Sequence, residues 1–128
     1  MSESEKITIN MSAVDLGKID LLVQEGLYSN RTDFIRTAIR SQVDKHSVEV
    51  QQSVARHAYG IGVFSYNRKE LEHQKASGKR LKLTILGLLS LADDVPPDLA
   101  AEVIEAVEVR GVFNASPQVK AALADRTR

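Results

Sequence analysis

The side chains best suited to ligand binding or proton chemistry are His46, His57 and His73, the adjacent pair Asp93-Asp94, and the basic cluster Arg68, Lys69, Lys75, Lys79 and Arg80. Three imidazoles could hold a transition metal. Metal sites legible in a sequence place their ligands a few residues apart, however, and there is no cysteine to assist. The histidines are read as solvated or capping groups, and no metal or cofactor is expected. Asp93-Asp94 lies beside two prolines, in a loop where aspartates commonly accept from local backbone N–H groups. The basic cluster is either a solvated face or a phosphate-binding patch. No Ser/His/Asp, Cys/His or carboxylate-pair arrangement can be assembled, so the sequence is read as a non-enzyme.

The chain that must position these groups has 128 residues, 43% hydrophobic and 27% charged, a globular composition long enough for one domain or two small ones. No apolar run is long enough to span a bilayer. The opening Met1–Lys6 carries neither a basic n-region nor an apolar h-region, so no secretory signal is read. A cytoplasmic protein is expected. Lys plus Arg equals Asp plus Glu at 17 each, so overall charge does not draw the chain towards a polyanion. The balance is uneven along the chain: residues 48–80 hold 6 basic and 3 acidic side chains, whereas the segments on either side are slightly acidic.

Lys6–Ser12 alternates polar and apolar residues, the period of a strand with one buried face. Ile7, Ile9 and Met11 share one face; Lys6, Thr8 and Asn10 share the other. No partner strand follows, and a lone short strand is not stable, so pairing with the same strand of a second chain is the simplest solution. A helical stripe of Leu16, Ile19, Leu22 and Val23 runs to Gly26, a favourable C′ residue. Asn30 then stands where an N-cap belongs, with Asp33 three residues on. Phe34, Ile35, Ala38, Ile39 and Val43 form the stripe of a second helix reaching His46 or a turn or two beyond.

Strand, helix, Gly turn and capped helix in this order, with Asn30-Arg31-Thr32-Asp33-Phe34-Ile35-Arg36 opening the second helix, resemble the ribbon-helix-helix (CopG/Arc/MetJ-like) DNA-binding family over residues 5–48. The resemblance implies an intertwined homodimer whose core includes Ile7, Ile9, Met11, Phe34, Ile35 and Ile39. It implies an antiparallel ribbon in the major groove of double-stranded DNA, with Lys6, Thr8 and Asn10 facing base edges. It also implies a phosphate held at the second helix by Asn30, Arg31 and Thr32. Many members carry more than one basic residue on the outward ribbon face; here Lys6 is the only one.

Residues 49–128 repeat. Gly62, Gly87 and Gly111 fall 25 and 24 residues apart, each in an apolar strand-like run and each followed by a helix-like stretch. Pro97 and Pro117 open the last two helices, where their missing N–H costs nothing. Leu99 corresponds to Val119 and Val103 to Leu123. Asn67 can cap a helix in the first copy. One strand-helix unit cannot bury its apolar face, but three side by side can. An interior strand glycine permits a bend or close backbone approach, and a single glycine per turn is no phosphate-binding loop.

The expected fold class is α+β. Residues 1–48 form the ribbon-helix-helix unit, 49–57 a linker or helix extension, and 58–128 a strand-helix repeat domain for assembly or partner binding. The leading function is sequence-specific DNA binding by a bacterial transcriptional repressor. Two alternatives are an antitoxin that autoregulates its operon, and a structural protein whose ribbon serves only to dimerise.

Overall fold

The computed structural model describes residues 4–128; Met1–Glu3, which open both the proposed N-terminal domain and the segment read for a leader, lie outside the described residues. Contacts divide the chain into two compact units, one of residues 6–53 and one dominated by residues 54–128.

In the first unit, residues 4–12 pair with no strand of the same chain. Helix α1 (Ala13–Gln24) begins at Ser12, whose hydroxyl accepts from the Asp15 N–H. It ends in a Schellman motif. The Gly26 N–H bonds to the Val23 carbonyl and the Leu27 N–H to that of Leu22, with Gly26 at φ 82°. Only a residue without a Cβ takes that conformation cheaply. Helix α2 (Arg31–Lys45) starts at Asn30, whose side chain accepts from the Asp33 N–H. The Asp33 carboxylate reaches back to the Ser29 N–H, one residue ahead of the cap. Tyr28 meets Phe34 edge-on, with ring centroids 4.9 Å apart. Helix α3 (Ser47–His57) follows α2 after a break at His46.

The second unit is a three-stranded parallel sheet in the order β1 (Gly60–Tyr66), β2 (Leu81–Leu91), β3 (Ile104–Asn114). Helices α4 (Arg68–Ala76), α5 (Pro97–Val103) and α6 (Pro117–Ala122) follow the strands in turn, and α5 packs against both α4 and α6. The repeat in the sequence is therefore a repeat in space, and its glycines stack: Gly62 pairs with Gly87 and Gly87 with Gly111. Pro97 and Pro117 open α5 and α6. Asn67 and Glu70 form a complete capping box on α4.

Leu71, Leu83, Ile85, Leu89, Leu99, Val103, Val107, Val119 and Leu123 make one core between sheet and helices, and the residues matched between repeats, Leu99 with Val119 and Val103 with Leu123, are all buried in it. Arg80 and Arg126 converge on the end of α5. Arg126 Nη1 donates to the Ala101 and Ile104 carbonyls at 2.8 and 3.0 Å, and Arg80 donates to those of Ala101, Glu102 and Ile104. Helix carbonyls that lack an intrahelical partner are thereby satisfied by two cations at the negative end of the helix dipole.

Candidate nucleic-acid interface

Residues 6–53 fold without a core of their own. Ile19 is the one large apolar side chain buried among them. Leu16, Leu22, Val23, Phe34 and Ile35 are half-buried. Ile7 is 71% exposed and Ile9 62%, and Met11, Leu21, Ile39 and Val43 are also exposed. Lys6, Thr8 and Asn10 alternate with Ile7, Ile9 and Met11 along the same exposed segment.

The start of α2 brings Asn30, Arg31 and Thr32 together at the surface. The Asn30 side chain is committed to the Asp33 N–H, while helix geometry leaves the Arg31 and Thr32 N–H groups without intrahelical acceptors. The Arg31 guanidinium is engaged with Asp20 of α1: Nε donates to Oδ1 at 2.7 Å and Nη2 to Oδ2 at 2.8 Å. This fork bridges the two helices of the hairpin. The hydrogen bond from Arg31, aided by its charge, holds the Asp20 carboxyl below its ordinary 3.8, and the same bond holds the guanidinium above its ordinary value. A carboxyl depressed on folding adds stability above its unfolded value and loses it as pH falls through the folded one. The pair is therefore complete throughout the neutral range and weakens only in acid. Both side chains are about half exposed, so solvent screens the contribution strongly.

Asp20 was not legible as a site residue. It is eleven positions from Arg31 and sits on a helix face where an aspartate ordinarily meets only water.

The basic cluster is spread over α4 and the turn into β2. Arg68 pairs with Glu72, Lys75 pairs with Glu102, and Arg80 is spent on the α5 carbonyls. The hydrogen bond it donates to the Glu102 carboxylate holds the Lys75 ammonium above its ordinary value. No ion pair engages Lys69 or Lys79 among the described residues. Asp94 accepts from the Arg68 N–H at the head of α4, rather than from its own loop. His46 lies 3.7 Å from Glu49 and His57 stacks obliquely on Tyr59. Among the described residues no group of three His, Cys, Asp or Glu could share a metal ion, and no helix is long and apolar enough to cross a membrane.

The sequence matches the profile of the Ribbon-Helix-Helix transcriptional regulator family over residues 2–120. The chain belongs to that family. The matched span takes in β1 to β3 as well as the N-terminal helices. Proteins of the ribbon-helix-helix family bind DNA and dimerise. Neither a curated protein nor a solved structure matches the chain.

Proposed function

We propose that this protein is a non-enzymatic repressor that binds a specific double-stranded DNA site as a homodimer. Residues 6–12 of two chains would form the ribbon, with Lys6, Thr8 and Asn10 towards base edges. Arg31, Thr32 and Asn30 would seat a phosphate at the head of α2. Residues 1–48 would be the DNA-binding and dimerisation domain, and residues 58–128 an assembly or partner domain. Lys69 and Lys79 are the members of the basic cluster with charge left for a second phosphate.

One observation carries the reading. Ile7, Ile9, Met11, Ile39 and Val43 form an apolar set that a single chain leaves in water. Large apolar side chains left exposed together on a small unit point to an interface, and these lie on the elements that build the family's dimer. The folded sheet unit weighs against the antitoxin alternative, since toxin-wrapping tails are ordinarily disordered until bound.

Selection of bound fragments from random DNA should return a single motif with two-fold symmetry. On that motif, Asn10→Ala should lose about 1–3 kcal/mol at one base pair per half-site while leaving binding to unrelated DNA almost unchanged. Uniform weakening on all sequences would show that Asn10 does not read bases.

The Arg31–Asp20 fork adds a second expected result. A phosphate at α2 must compete with Asp20 for the guanidinium. Asp20→Asn should therefore tighten binding to all sequences alike, and Arg31→Ala should weaken it uniformly and flatten the salt slope by about one unit per lost contact. Binding isotherms over a range of salt check both. Unchanged slopes in both variants would leave the fork as a purely structural brace.

A further inference from the structure

The stacked glycines of the sheet unit are not equivalent. Gly87 and Gly111 have φ 139° and 127°, and a Cβ on either would lie against the carbonyl oxygen of the preceding glycine, that of Gly62 and Gly87 respectively. Each glycine thus turns its Cβ direction, within the sheet, towards the strand before it. Gly62 has the same backbone, φ 135°, but nothing lies within 4 Å of the Cβ position. The conformation that elsewhere admits a neighbouring backbone is present at β1 without the neighbour.

The rest of β1 agrees. Gly60-Ile61-Gly62-Val63-Phe64-Ser65-Tyr66 has no charge and no proline, the devices that usually protect an edge strand. Ile61 is 67% and Val63 50% exposed, beside the half-buried Leu86 and the buried Leu88 on β2. The opposite edge, β3, is occupied at Val107: Thr127 forms a parallel bridge to it, and the Arg128 N–H donates to its carbonyl at 2.8 Å.

We propose that the outer edge of β1 pairs with the same edge of a second copy, antiparallel about a two-fold axis, joining two three-stranded sheets into one of six strands. A second copy is the occupant because family members dimerise, so copies of this edge are already held at high effective concentration. The C-terminal residues at Val107 obstruct a further strand along the first half of β3 and so disfavour head-to-tail stacking, whereas the self-complementary contact that a two-fold axis generates meets no such obstacle on β1. The inference rests on the homodimer reading but uses none of the residues assigned to DNA.

The chain has no cysteine, so single nitroxide labels can be placed through Val63→Cys and, separately, Arg110→Cys on the same sheet face of β3. Strands lie about 4.8 Å apart. Edge pairing puts the two Val63 positions about one strand spacing apart and the two Arg110 positions about five, roughly 24 Å. Electron paramagnetic resonance on the full-length protein should therefore give strong dipolar broadening at position 63 and a much longer distance at position 110. Similar distances at the two positions would overturn the proposal, as a head-to-tail stack makes them alike. A position-63 distance near the roughly 10 Å between facing sheets would overturn it too, because one strand spacing is about half of that. Absence of coupling at both would overturn it as well. Binding to the selected DNA, measured on the same labelled proteins, separates the two readings. A DNA-binding dimer without the short Val63 distance sinks the edge pairing alone, and the short distance without DNA binding sinks the operator reading alone.

Discussion

Gly87→Ala and Gly111→Ala are each expected to unfold the sheet unit, whereas Gly62→Ala should leave a single unit folded. An alanine at 87 or 111 must take a left-handed φ, which costs on the order of 1–3 kcal/mol. Its Cβ would also press on a backbone carbonyl of the adjacent strand, an atom that cannot swing aside as a side-chain tip can. Relief requires β1 and β2, or β2 and β3, to separate where their ladder is continuous. The sum exceeds about 4 kcal/mol, a large share of the roughly 5–15 kcal/mol that holds a domain folded. At Gly62 the φ cost stands alone. Thermal unfolding followed by circular dichroism should thus place the Gly62 variant well above the other two. A Gly87→Ala melt within a few degrees of the parent would show that the strands are not held at the observed spacing.

Ile9→Asp should remove the dimer, the helical order of residues 13–45, and DNA binding together. In one chain Ile9 is exposed and a charge there costs nothing. In the proposed ribbon it is buried against its counterpart, and the two-fold axis buries two carboxylates at once. A buried charge without a partner costs about 3–5 kcal/mol, here in a unit whose single-chain core amounts to Ile19 and a few half-buried neighbours. Folding and association should therefore fail as one event. The sheet unit has its own closed core and should keep its signal. Sedimentation equilibrium with circular dichroism decides the matter; a monomer with intact α1 and α2 would show that these helices need no second chain.

Local structure was the most legible part of this sequence. Gly26, Asn30 and Asn67 act within a few residues of themselves, so their caps could be read from the order of side chains alone. The strand-helix units were legible for a different reason: three spaced glycines and two helix-opening prolines are the same solution written more than once. Long-range partnerships were not. Arg80 and Arg126 look like ordinary solvated arginines until the fold delivers both to the α5 carbonyls. The pairing of Arg31 with Asp20 depends on the angle of a helical hairpin, which no local pattern encodes. Of the basic cluster, sequence showed the charges but not which were already neutralised. The end of α2 at His46 lies within the range the sequence offers, but the immediate restart as α3 does not show there, since the apolar period continues through Val43 to Val48 and Val50 without a glycine or proline to mark it.

The column of glycines has one more consequence, for how such a chain can change in length. Each strand meets the next through the same glycine contact, and each strand is followed by a helix, so the glycine pairing of β1 with β2 is repeated in that of β2 with β3. An in-frame duplication of the block from Arg80 to Val103 would add a strand and a helix between two matching surfaces and leave both outer edges as they are. A gain or loss of a few residues within a strand would instead put a side chain where the column admits none. Descendants of this sheet should therefore differ by whole blocks of about 24 residues, set by the spacing of the glycines.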